Sequence, residues 1–164
     1  MIRIGVVSDT HRDLRCLEQA RQALGKIDWL LHAGDHFQDA PQVAKGLGMD
    51  PLRVRAVVGN CDHPVQEPVE ELLEIDGVRI WLTHGHHFGV KHGYLRIYYK
   101  AKELGARVVV FGHSHLAVAE DDGQVLLFNP GSLSQPRLSY DLPSCGLLEI
   151  DNGSVTAHIF RLNG

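Results

Sequence analysis

Apolar positions along this chain fall into short blocks, and the period of the blocks changes along it. Ile2–Val7, IRIGVV, is rich in β-branched residues and reads as a buried strand. Leu14, Leu17, Ala20, Ala23 and Leu24 then recur at spacings of three and four, which predicts a helix with Asp13 as its N-cap and Gly25 as its stop. Residues 27–31 and 53–58 read as further buried strands, with a short helix over 40–47, ended by Gly48, between them. Residues 94–104 predict a helix closed by Gly105, and 107–111 a strand. The remaining strands pair about tight turns: 70–75 with 78–83 around Asp76-Gly77, 116–120 with 125–128 around Asp121-Asp122-Gly123, and 146–150 with 154–160 around Asn152-Gly153. Strand and helix alternate early and hairpins dominate late. That predicts an α/β fold of mixed, partly parallel sheets with helices outside. Neither a linker nor a repeat interrupts the pattern, so residues 1–164 read as one domain.

Composition narrows the class without naming a function. Net charge is −4 and no basic run stands out, which argues against an extended nucleic-acid surface or an anionic membrane partner. No segment approaches the ~18 apolar residues of a membrane span, and the N-terminus lacks the pattern of a secretory signal. The three cysteines, Cys16, Cys61 and Cys145, have no CxxC spacing, so a disulfide framework is not expected and a cytoplasmic location is the default.

Candidate chemistry lies where the predicted strands stop. Five times a buried apolar block ends and a metal-binding or polar residue follows: Asp9 with His11, Asp35, Asn60 with Asp62, His84, and His113 with His115. One such residue alone is an ordinary turn residue. Five in the same structural position are not explained by turns, because loops at strand ends converge on one point. Glycines at 34, 59, 85 and 112 would let the backbone turn or pack closely there. Carboxylate with imidazole suits Mn, Fe, Zn or Co better than Ca or Mg, and thiolate is nearly absent. In an extended His113-Ser114-His115 segment both imidazoles would face one cluster, and Asp9-Thr10-His11 has the same spacing.

Taken together, Asp9-Thr10-His11, Gly34-Asp35, Gly59-Asn60-Cys61-Asp62, Thr83-His84-Gly85-His86 and Gly112-His113-Ser114-His115, followed by Asn129-Pro130-Gly131-Ser132, resemble the calcineurin-like metallophosphoesterase superfamily. The short length and the GNCD form resemble its small single-domain, YfcE-type phosphodiesterase branch. The resemblance implies two packed mixed β-sheets flanked by helices, a four-layer sandwich. It implies that Asp9, His11 and His115 bind one divalent ion, that Asn60, His84 and His113 bind a second, and that Asp35 bridges them. Manganese is the expected metal, with Fe, Zn, Ni or Co as alternatives. The implied activity is phosphoric ester hydrolysis of the phosphodiesterase kind, by attack of a metal-bridging hydroxide on a small phosphodiester.

The candidate catalytic residues are Asn60, Asp62 and His86, with His63 and His87 as alternative acids. Cys61 departs from the pattern, because many relatives carry a histidine there that contacts phosphate or protonates the leaving group. Neutral imidazole ligands predict falling activity below about pH 6. His32 reads as a supporting or core residue, His36 as a pocket-lining one, and Arg137 as either a phosphate contact or a surface cation. Tyr98, Tyr99 and Ile97 on one helix suit either core or a homo-oligomer interface. The alternative to an enzyme is a non-catalytic protein-binding scaffold of the same fold, as in the retromer-type relatives; the intact set of metal-binding residue types favours the enzyme.

Overall fold

The computed structural model describes residues 1–63 and 66–163. Its strands form two five-stranded sheets. In the first the order is β10-β9-β1-β2-β3, with β1 (Ile2–Val7), β2 (Trp29–His32), β3 (Val54–Ala56), β9 (Ser144–Asp151) and β10 (Ser154–Arg161). In the second it is β4-β5-β6-β8-β7, with β4 (Glu70–Ile75), β5 (Val78–Thr83), β6 (Val108–Val110), β7 (Val118–Asp121) and β8 (Leu126–Asn129). Each sheet has a parallel centre. β1, β2 and β3 run together in one, and β5, β6 and β8 in the other. Antiparallel strands complete the flanks: β9 and β10 beside β1, β4 beside β5, and β7 beside β8.

The period-two alternation explains the layers. Ile4 and Val6 of β1 meet Ile80 and Leu82 of β5 and Val108 and Val110 of β6 in the core between the sheets. The alternate residues turn outward. Val7 and Leu30 pack under α1 (Leu17–Leu24) and α2 (Ala40–Gly46), with Ala20, Leu24, Val43 and Ala44. Trp81, Val109 and Phe111 pack under α3 (Leu95–Glu103), with Ile97 and Ala101. The order is therefore helices, sheet, sheet, helix, the four-layer α/β sandwich anticipated above. Ile97 of the aromatic trio is core, Tyr98 is half-buried and Tyr99 is exposed. No helix among the described residues is long and apolar enough to cross a membrane.

One helix start differs from the expectation. α1 begins at Leu17, not after Asp13. Asp13 spends its carboxylate on the backbone N–H and guanidinium of Arg15, so a local Asx-type turn takes the residue that the helix would have used as its cap.

Candidate metal centre

The six parallel strands of the two sheet centres carry the site. Asp9 and His11 follow β1, Asp35 follows β2, Asn60 follows β3, His84 follows β5, and His113 and His115 follow β6. Asn129 closes β8. The carboxylate and imidazole atoms of these loops fall into two groups that share one member. Asp9, His11, Asp35 and His115 bring one ligand atom each to within 4.8 Å of one another, and Asp35, His84 and His113 do the same. His11 Nε2 stands 3.3 Å from His115 Nε2 and 3.8 Å from Asp35 Oδ2. On the other side of Asp35, its Oδ1 lies 3.4 Å from His84 Nε2, which is itself 3.0 Å from Asn60 Oδ1. The seven residues singled out as ligands therefore meet in the structure.

His113 and His115 depart from the expected arrangement. The segment is not extended: both residues are left-handed, at φ 68° and 57°, so their rings diverge into different groups instead of facing one. Asp9, His11 and Asp35 are left-handed too, at 53°, 47° and 57°. Such conformations cost of order 1–3 kcal/mol each in a non-glycine residue and persist where surrounding contacts over-determine them. Here those contacts are present. Asp9 Oδ2 accepts from Ser8 Oγ at 2.6 Å and from the His113 N–H at 3.1 Å, which ties the β1 and β6 loops together. The Asp9 carbonyl accepts from Ser132 Oγ at 2.8 Å, and Asn129 Nδ2 donates to the Gly112 carbonyl and Ser114 Oγ. The Asn129–Ser132 loop is thus a clamp behind the ligands, a role that the residue pattern alone does not disclose.

Two glycines are required by close approach. A Cβ at Gly59 would lie 2.3 Å from Asp35 Oδ1, and one at Gly112 would lie 2.0 Å from Ser8 Oγ. In both places the backbone of one sheet's loop presses on a buried oxygen of the ligand cradle.

Electrostatics fit a cation. Asp9 Oδ1 is buried and makes no well-formed hydrogen bond; its near neighbour is His115 Nε2 at 3.2 Å, so a positive group is needed to complete it. His84 hydrogen-bonds through Nδ1 to the Ala33 carbonyl, and His115 through Nδ1 to that of Gln135, so each turns Nε2 inward. Burial disfavours charge on His84 and His115, but Asp35 and Asp9 outweigh it and raise both imidazoles above their ordinary pKa. The same field that draws protons onto these nitrogens would draw a metal ion. Burial lowers His11, and burial with the positive fields of His84 and Lys91 lowers His113 to about 4, leaving both neutral as ligands must be. The oxygen and nitrogen donors thus suit a pair of divalent ions.

The remaining candidates lie around this cradle. Asp62 gives both carboxylate oxygens to backbone N–H groups, of His36 at 2.6 Å and Gly59 at 2.7 Å, so it braces the β2 and β3 loops. The His86 ring is 5.4 Å from that of His84 and 6.1 Å from that of His113. Its Nδ1 is buried without a partner, and burial, then His87 and His84, lower its pKa. His87 is exposed against the His86 ring at 3.9 Å, and His63 is exposed. His36 is half-buried 6.3 Å from the His11 ring. His32 is fully buried behind the ligands. Cys61 is exposed; its backbone N–H donates to Asp35 Oδ1 at 2.8 Å, and desolvation with the fields of Asp35, Asp9 and Asp62 pushes its thiol up to about 11.

Residues 2–153 match the family model of the calcineurin-like phosphoesterase superfamily domain. Among curated relatives, a probable metallophosphoesterase of Bacillus subtilis, YsnB, is 35% identical over 97% of this chain and 90% of its own length. The phosphodiesterase YfcE of Escherichia coli is 32% identical over 96% of this chain and 92% of its own. Among solved structures, a predicted phosphoesterase of Streptococcus pneumoniae superposes with a TM-score of 0.78 at 31% identity, covering 98% of this chain and 89% of that one. Vps29 of Entamoeba histolytica, solved with zinc, gives a TM-score of 0.77 over 99% of this chain and 100% of that one; at 22% identity the likeness is one of fold.

Proposed function

This chain belongs to the calcineurin-like phosphoesterase superfamily, and within it we propose that the protein is a phosphodiesterase acting on a small phosphodiester, with two divalent ions, manganese foremost, held on either side of Asp35. The observation that carries this reading is the pair of ligand groups joined through Asp35, with the buried Asp9 Oδ1 facing His115 Nε2 inside one of them. Bound divalent ions supply Lewis acidity toward phosphoryl oxygens and bring the pKa of a coordinated water toward ~7. The chain's own residues do the positioning. Asp9, His11 and His115 would hold one ion, and Asn60, His84 and His113 the other. Asn60 adds a neutral oxygen, which leaves the centre net positive and suited to a singly charged diester. The Cys61 N–H would steer the bridging carboxylate, and Asp62 would keep the Asn60 loop against the Asp35 loop.

His86 is the best-placed proton donor of the three candidate histidines, because its ring adjoins those of His84 and His113. With its pKa lowered, it holds little proton near neutrality. Cys61 is uncharged there. The chain should therefore favour esters with good leaving groups.

The test is turnover of bis-p-nitrophenyl phosphate after chelation and reloading with Mn, Ni, Co or Mg. Turnover should return with metal, and Asp35→Asn should lower it by about 10²-fold or more. A fully loaded protein with no turnover would sink the reading in favour of the non-catalytic scaffold of the same fold.

A further inference from the structure

A recess of about 360 Å³ opens beside the candidate metal centre, walled by Lys91, His113, Ser114, His115, Gln135 and Arg137. It shares two walls with the metal cradle, because His113 belongs to one ligand group and His115 to the other. Its size falls at the small end of the range for small-molecule sites. Its charge is one-sided. Lys91 and Arg137 contribute two cations and none of its walls is a carboxylate, in a chain whose net charge is −4. Among the described residues neither cation has an ion-pair partner.

Arg137 is fixed relative to the site by its backbone. Its N–H donates to the His115 carbonyl at 3.4 Å, and His115 Nδ1 hydrogen-bonds to the carbonyl of Gln135. The segment that carries the guanidinium is therefore fastened to the loop that carries a ligand. A substrate phosphorus held at Asp35 would have this recess as its neighbour on the His113–His115 side.

We infer that the recess is a second-phosphate subsite, so that the preferred substrates are phosphodiesters bearing an additional phosphoryl group. This rests on the phosphodiesterase reading above and gives that site a substrate class. A terminal phosphate carries about −1.5 to −2 at neutral pH, which two cations match, and Arg can engage it with two parallel N–H donors. A neutral ester such as an alkyl or nucleoside arm gains nothing from such walls.

The test compares two esters that differ in one group: the p-nitrophenyl ester of thymidine 5′-phosphate with and without a 3′-phosphate. The metal-loaded enzyme should favour the 3′-phosphorylated ester in kcat/KM by about tenfold, more at low ionic strength than at high. In the Lys91→Gln/Arg137→Gln double variant the ratio should fall to near one, while Lys91→Arg and Arg137→Lys should retain most of it. The ratio is internal to each protein, so partial misfolding does not mimic the effect. Equal rates on the two esters in the wild type, or a preference untouched in the double variant, overturn the subsite.

A second measurement separates this from the parent reading. Inorganic phosphate titrated into the zinc-loaded protein should shift the backbone amides of Gln135 and Arg137 saturably, and the double variant should lose that response. If neither ester is turned over, the phosphodiesterase reading fails, and this titration alone decides the recess: shifts sustain an anion site and their absence overturns it.

Discussion

His32 is buried to zero exposure, yet both of its nitrogens find partners. Nδ1 accepts from the Gly34 N–H at 3.2 Å, and Nε2 lies 3.1 Å from Thr10 Oγ1. Thr10 spends its own proton on Asp39 Oδ2 at 2.6 Å, so its oxygen is free to accept and His32 carries its hydrogen on Nε2. A second proton would have to sit on Nδ1, facing another N–H. Burial accordingly lowers the His32 pKa to about 4. Because the folded pKa lies below the unfolded value of about 6.5, the unfolded chain binds more protons between these two pH values. Stability should be full above about pH 6.5 and fall progressively toward pH 4, by about 3 kcal/mol from this residue. The metal-free protein, followed by denaturant unfolding at pH 7 and pH 5, should lose stability, and the His32 ring resonances should hold steady down to about pH 5. A ring that titrates near 6.5 in the folded protein would refute this effect of burial.

At the scale of elements, the strands were legible because two-sided burial demands runs such as Ile2–Val7, and β1, β4 and β5 have the expected bounds. The turn at Asp76-Gly77 was legible for a local reason: both residues have positive φ, at 49° and 75°, which Asp and Gly tolerate. The gathering of ligands at strand ends could be read for the same kind of reason, since it follows from where each apolar block stops. The left-handed ligand residues were not legible. Histidine tolerates that conformation better than most residues, but its neighbours do not call for it; it is held by the His113 N–H donating to Asp9 Oδ2, a contact between residues far apart in sequence, and by Asn129 Nδ2 donating to the Gly112 carbonyl. The order of strands was hidden likewise, since β1 lies between β2 and β9 from the opposite end of the chain.

The prediction at this scale concerns Gly59, where a loop of one strand meets the ligand of its neighbour. A methyl group there would lie 2.4 Å from the Asp35 backbone nitrogen as well as 2.3 Å from Oδ1, so no side-chain rotation relieves it. Gly59→Ala should cost about 1–3 kcal/mol and reduce bound metal to less than two ions per chain. Unfolding curves and metal analysis after gel filtration measure the two effects. A Gly59→Ala protein of wild-type stability with two ions would mean that the loops separate freely.

For the whole molecule, the decisive feature is that each ligand group takes donors from both sheets. Asp9, His11, Asp35 and Asn60 follow strands of the first sheet, while His84, His113 and His115 follow strands of the second. Elsewhere the sheets meet through apolar side chains such as Val6, Leu82 and Phe128. An ion in either group would therefore fasten the two layers at one end of the sandwich, a contact that the unfolded chain cannot reproduce at comparable affinity. Binding that favours the folded state stabilises it by about 2.7 kcal/mol at a free-ligand concentration of about 100 times Kd. For a chain of this size that corresponds to a rise in Tm of roughly 5–10 °C. Chelated protein titrated with Mn should show this rise by scanning calorimetry. In Asp35→Asn, which weakens the shared ligand of both groups, most of it should vanish. Equal gains in the two proteins would place the bound metal away from Asp35 and remove the ground for a paired centre, whereas loss of the gain in the variant alone would tie the joining of the sheets to the same carboxylate on which the proposed chemistry depends.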